Sequence, residues 1–166
     1  GSGKSAIGKV VSSIIDVPFK DADVEIEQAA KLSIPEIFER HGEKFFRDKE
    51  DQIIKRLLRE KCCILATGGG AFMNKKIRAS IKEQGVSVWL NADLETLWKR
   101  VKHKRTRPLL RTHNPKETLR SIYTDRIKTY SLADIIVDSH DKSSLEEMAK
   151  LIIKSLLDRN DLIERA

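Results

Sequence analysis

The sequence predicts an α/β fold in which helices cover both faces of a parallel sheet, a three-layer αβα architecture. Three observations lead there. Short apolar runs alternate with helical patterns along 166 residues. Those runs are too short for helices and apolar on both faces, as a strand inside a parallel sheet requires. They also end in Gly, Asp or Asn, the punctuation expected where a strand gives way to a loop.

The elements follow in order. From Ser5, the residues Ile7, Val10, Val11, Ile14 and Ile15 carry the i, i+3, i+4, i+7, i+8 spacing of one helix face. Val17-Pro18-Phe19 is a short extended run leading to Asp21 and Asp23, and a helix follows from Val24 to Lys31. Ser33 with Glu36 three residues on resembles a capping box, with Pro35 in the first turn. A long charged helical stretch then runs towards Glu60 and breaks near His41-Gly42. Cys62 to Ala66, Val86 to Leu90 and Ile135 to Val137 read as strands. Helical patterns cover Lys75 to Gln84, Asp93 to Val101 and Pro115 to Tyr130. An amphipathic closing helix carries Leu145, Met148, Ala149, Ile152, Ile153, Leu156 and Leu157, and residues 158–166 form a charged tail expected to fray. With no internal repeat, linker or composition shift, residues 1–166 read as one domain.

Composition narrows the class. Forty per cent hydrophobic residues support a core, and only 5% aromatics make that core aliphatic. No stretch approaches the roughly 18 apolar residues of a membrane span, and no signal peptide opens the chain. Cys62 and Cys63, adjacent in an apolar run, read as small buried hydrophobes of a reduced, cytoplasmic protein. The net charge is +7. Lys99, Arg100, Lys102, Lys104, Arg105 and Arg107 crowd six positive charges into nine residues and leave the rest nearly neutral. Such a segment either binds anions or stays in water.

Gly1-Ser2-Gly3-Lys4-Ser5 opens the first helix and matches the last half of the phosphate-binding pattern G-x-x-x-x-G-K-[ST]. Glycines let backbone N–H groups turn inward round phosphate, and the helix N-terminus adds partial positive charge. Lys4 reaches the β- and γ-phosphates in this pattern, and the Ser5 hydroxyl binds Mg²⁺. A flexible glycine-rich start is the bland alternative, but Gly-Lys-Ser directly before five well-spaced apolar residues argues against it. The first glycine of the pattern and its preceding strand do not stand before Gly1. An intact domain of this kind, with five strands, is therefore expected to begin upstream, and a sheet lacking its central strand to split.

Asp21 and Asp23 lie two apart at a strand end, so both could point one way. One carboxylate suits an Mg²⁺ shell and the other a substrate hydroxyl; as a bare Asp-x-Asp, the pair more often marks a polar turn with a helix cap. Gly68, Gly69 and Gly70 directly follow a strand, where ligands bind in open α/β sheets. Arg47 and Arg126 lie on predicted helices, where a lone Arg is usually solvated.

Taken in order, these residues resemble the shikimate kinase family over nearly the whole chain. The marks are Gly3-Lys4-Ser5, Phe19-Lys20-Asp21-Ala22-Asp23 with Ile26-Glu27, and Ser33-Ile34-Pro35-Glu36-Ile37-Phe38. Gly42-Glu43, Phe45-Phe46-Arg47, Ala66-Thr67-Gly68-Gly69-Gly70, Arg107-Pro108-Leu109-Leu110 and Arg126 with Tyr130 and Ala133-Asp134 complete the set. The resemblance implies a P-loop kinase fold with a mobile lid over about 102–112. It implies ATP-dependent phosphorylation of the 3-hydroxyl of shikimate to shikimate 3-phosphate, on the route to chorismate and the aromatic amino acids. It implies one Mg²⁺ per subunit, ATP as donor, and a cytoplasmic monomer without nucleic-acid or membrane partners.

Carried over by resemblance, Gly1, Ser2, Gly3, Lys4, Ser5 and Ala6 form the nucleotide loop, and Ser5 and Asp21 serve Mg²⁺. Asp23, Arg47, Gly68, Gly69, Gly70 and Arg126 hold shikimate. Lys4, Asp23 and Arg107 carry the chemistry, with Arg107 closing over the phosphates from the lid. Arg100 stacks on adenine, and Lys142 falls where the family usually has Gln or Pro in its adenine loop. Three rivals are weighed. Another small-metabolite kinase, gluconate kinase-like or acting on nucleoside monophosphates, shares the loop and lid but not the paired Asp, Phe-Arg and triple-Gly set. A nucleic-acid binder using residues 99–111 lacks interleaved aromatics for base stacking. A catalytically silent homologue is disfavoured by the intact Lys4, Asp23, Arg47 and Arg126.

Overall fold

The structure, a computed structural model, describes residues 2–103, 108–110 and 112–159. Helix α1 (Lys4–Ile15) follows Gly3, whose φ of 88° turns the chain into the helix through the left-handed region. Strand β1 (Phe19–Asp21) runs into α2 (Ala22–Ala30) with Asp21 as cap. The long α3 (Ile34–Arg59) opens on the Ser33/Glu36 capping box expected from the sequence. It breaks at Gly42, whose φ of 78° and ψ of 173° belong to a region that glycine alone occupies at ease. Strand β2 (Ile64–Ala66) leads through the glycine loop to a 3₁₀ turn at Ala71–Met73 and then α4 (Lys75–Gln84). Next come β3 (Val88–Asn91), α5 (Leu94–Val101), α6 (Pro115–Tyr130), β4 (Ile135–Asp138) and α7 (Leu145–Leu157).

All pairing is parallel. β1 lies on β2 with Phe19 opposite Ile64 and Asp21 opposite Ala66, and β3 lies on β4 with Val88 opposite Ile135 and Asn91 opposite Asp138. Among the described residues the strands form these two pairs and not one continuous sheet. Helix α1 joins them: Ile7 and Val11 pack in one core with Ile64 of β2, Leu90 of β3, Ile135 and Val137 of β4, and Met148, Ala149 and Ile152 of α7. Leu65, the next residue of β2, points the other way, into the core of Ile26, Ile37, Phe46, Ile53 and Leu57. Successive residues of one strand thus serve opposite helix layers, which is the three-layer arrangement the sequence predicts.

Two expectations need correcting. Cys62 is exposed and Cys63 half-buried, because strand pairing begins only at Ile64 and the cysteines sit in the preceding turn. Ile136 is 47% exposed, so β4 buries Ile135 and Val137 on one face and shows water the other. Among the described residues, no helix is long and apolar enough to cross a membrane.

Candidate active site

β1 and β2 end side by side, and both continue directly into the candidate residues. Asp21 caps α2: its Oδ1 accepts the Asp23 N–H at 3.0 Å, while Oδ2 accepts the Ser5 hydroxyl at 2.7 Å. The helix-cap role and the tie to the phosphate loop are therefore both present in one carboxylate. Asp23 does not share a strand edge with Asp21; it belongs to the first turn of α2 and faces the glycine loop instead.

That loop is the hub. A Cβ on Gly68 would stand 3.0 Å from Glu50 Oε1 and 3.1 Å from Asp23 Oδ1. On Gly69 it would meet Arg126 Nη1 at 3.2 Å and the Tyr130 hydroxyl at 3.4 Å, and on Gly70 it would strike Arg47 Nη1 at 2.5 Å. Five polar side chains from α2, α3 and α6 thus stand against three consecutive glycines, and a side chain on any of these glycines would crowd them. The loop's own carbonyls are occupied. Gly68 accepts from the Ala71 N–H and Gly70 from the Met73 N–H, each at 3.1 Å, and Gly69 accepts from the Tyr130 hydroxyl.

Arg47 is held from two sides. Nη1 donates to Glu50 Oε2 at 2.8 Å, and Nε and Nη2 donate to Glu43 Oε1 at 3.2 and 3.1 Å. Burial opposes its charge, but the two carboxylates outweigh burial and raise its pKa. Three of the five guanidinium N–H donors are committed, leaving the others for a ligand. Glu50 is only 1% exposed. Its Oε1 is buried with no hydrogen-bond partner among the described residues. Burial pushes its pKa up, Arg47 and Arg126 pull it down, and the nearby Asp23 charge pushes it up again.

Arg100 on α5 donates to Ser139 Oγ at 3.1 Å and to the His140 carbonyl at 2.9 Å. Lys99 pairs with Asp141 at 2.7 Å, and the exposed Lys142 follows in the same turn. Arg100 and the 139–142 segment are therefore together.

The family model for shikimate kinase matches residues 1–157. The chain belongs to the shikimate kinase family. It is 53% identical over 164 residues to the shikimate kinase of Ruegeria pomeroyi, covering 99% of this chain and 84% of that protein. It is 52% identical to that of Cereibacter sphaeroides, covering 99% and 82%. Among solved structures, the shikimate kinase from Acinetobacter baumannii in complex with shikimate superposes with a TM-score of 0.91, at 31% identity, over 96% of this chain and 89% of that one. The Aquifex aeolicus shikimate kinase gives 0.83 at 35% identity, over 97% and 93%.

Within this family member, Asp23, Arg47, Gly68, Gly69, Gly70 and Arg126 come together as the sequence suggests, and Ser5 meets Asp21. Lys4 opens α1, next to Ser5 in the same first turn, with the exposed Ala6 after it. Gly1 and Arg107 lie outside the described residues, as do 104–106 and 111 of the expected lid and 160–166 of the expected tail. Sequence reasoning missed Glu50 and gave Glu43 only as a mark of the resemblance, without a role. The signal was present: Glu43, Arg47 and Glu50 are spaced by four and three, the positions that meet on one helix face.

Ser5 and Asp21 suit Mg²⁺. They offer adjacent hard oxygens from two different elements, and no group of three or more His, Cys, Asp or Glu gathers as a metal cage among the described residues. Mg²⁺ commonly takes few protein ligands and completes its shell with phosphate oxygens and water.

Proposed function

We propose that the glycine loop and the start of α1 form the two halves of the kinase site, with shikimate on the first and the phosphates of ATP on the second. The chain transfers the γ-phosphoryl group of ATP to the 3-hydroxyl of shikimate, a step of the route to chorismate. The observation that carries the site assignment is the convergence of Asp23, Arg47 and Arg126 on Gly68, Gly69 and Gly70. Two guanidinium groups suit a carboxylate, which they grip with planar paired hydrogen bonds. A carboxylate beside them suits a ring hydroxyl. Asp23 orients that hydroxyl and takes its proton as the bond to phosphorus forms.

Phosphoryl transfer asks mainly for alignment and charge neutralisation. Lys4, at the N-terminus of α1, and Arg107 neutralise the phosphate oxygens, aided by the helix dipole. Ser5 and Asp21 hold Mg²⁺, which when bound screens the charge between phosphates. Arg100 and the 139–142 turn receive the base. The enzyme works as a cytoplasmic monomer. A nucleic-acid role for the basic segment is disfavoured, since Lys99 and Arg100 are already paired within the fold.

ADP release measured with Mg·ATP and, separately, shikimate, gluconate and nucleoside monophosphates tests this reading. Release that depends on shikimate alone is expected. Release with gluconate or a nucleotide, and none with shikimate, overturns it.

A further inference from the structure

Tyr130 closes α6 one helical turn beyond Arg126. Its ring contacts Phe72 at 6.5 Å and Trp89 of β3 at 5.9 Å between centroids, tilted at 51° and 53°. Packing on two rings fixes where the phenol points. Its hydroxyl donates to the Gly69 carbonyl.

That carbonyl and the Gly70 N–H belong to one planar, trans peptide unit. Turning the carbonyl to Tyr130 therefore turns the Gly70 N–H the opposite way. Glycine on each side of this unit gives it little intrinsic resistance to rotation. The carbonyls of Gly68 and Gly70 are tied within the loop itself, to Ala71 and Met73. The Gly69 carbonyl is tied outside it, to α6. The middle of the loop thus takes its orientation from the helix that also carries Arg126.

We infer that Tyr130 is a positioning residue for the acceptor substrate: by holding the Gly69–Gly70 peptide it sets the loop face on which Asp23, Arg47 and Arg126 converge. The inference rests on the acceptor-site reading above. Tyr130 acts through the loop and not on a reacting atom. Its influence falls on shikimate and not on ATP, because its hydrogen bond and ring contacts lie with Gly69, Phe72 and Trp89, apart from α1 and the 139–142 turn.

Tyr130→Phe keeps the ring and removes the hydroxyl. In steady-state kinetics on the full chain, shikimate KM rises about threefold to tenfold, the worth of one neutral hydrogen bond, while ATP KM and kcat hold. In the absence of substrate, amide exchange over residues 68–73 speeds up in the variant. Unchanged shikimate KM overturns the inference. So does a fall in kcat with both KM values unmoved, which marks only a smaller folded fraction. Amide exchange needs no activity, so unchanged exchange condemns the role of Tyr130 even if the acceptor itself were wrongly assigned.

Discussion

The two halves of the proposed site are built differently. On the acceptor side, Arg47 is braced by two carboxylates and pressed against Gly70, and Glu50 is 1% exposed. On the proposed donor side, Lys99 and Asp141 form a pair whose side chains are 58% and 46% exposed. An exposed pair of that kind contributes little to stability. Its ionisation follows its contact, with the Asp141 hydrogen bond raising the Lys99 pKa and Lys99 lowering that of Asp141. The contrast fits the ligands. A small ring with one carboxylate must be aimed, so its groups are fixed before it arrives. In the proposed arrangement a triphosphate offers many equivalent oxygens, which the backbone and dipole at the start of α1 suit.

The largest break in this comparison comes from Asp23, the proposed proton acceptor. Asp23→Asn keeps the size and the contact with Gly68 but cannot take a proton. Turnover is expected to fall about 10²–10⁴-fold, the span of positioned acid–base groups, and shikimate KM to rise. Kinetics in both substrates check it; a variant in which ATP KM alone changes would place Asp23 on the donor side.

A paired measurement sharpens the contrast. Gly70→Ala puts a methyl 2.5 Å from Arg47 Nη1, so the guanidinium must leave its position between Glu43 and Glu50. The displaced group is the far end of a flexible side chain, so the fold survives and binding suffers. Shikimate KM is expected to rise about 10- to 100-fold, the worth of charged hydrogen bonds, with little change for ATP. Arg100→Ala does the reverse and more weakly. It frees Ser139 and the His140 carbonyl, and ATP KM is expected to rise about threefold to tenfold, with shikimate KM unmoved. Equal effects of both variants on both substrates would erase the division.

Much of this was legible in the sequence for a physical reason. Strand runs and helix faces follow from periodicity, and the Ser33 cap from local hydrogen bonding, which spacing encodes. The triple glycine pointed to close approach without saying which side chains approach. That depends on how α2, α3 and α6 meet, and no local pattern carries it. Asp23 shows the limit: two residues from Asp21 it was read along the strand, but the helix starts at Ala22 and turns it towards Gly68. Cys62 shows another, since an apolar residue beside a strand is buried only if pairing extends to it. Glu50 was lost because a carboxylate in a charged helix reads as solvated until its helix is docked.

Glu50 gives the smallest effect and the most specific one. Burial raises its folded pKa above the ordinary value, so the folded chain binds this proton more readily than the unfolded chain. The stability gained from that proton is fully present below the ordinary glutamate pKa and is lost as pH rises through the raised folded value. Above it, the protein holds a buried carboxylate with Oε1 unpartnered. Glu50→Gln keeps an oxygen for Arg47 and removes the charge. Its melting temperature, relative to the parent, is therefore expected to climb as pH rises from about 4 and to level off once the parent's Glu50 is ionised. Arg47 loses a charged partner in the same step, so shikimate KM rises about twofold to tenfold even as neutral-pH stability improves. Parallel melting curves across that pH range would mean that Glu50 titrates alike in both states, with Arg47 and Arg126 offsetting its burial in full.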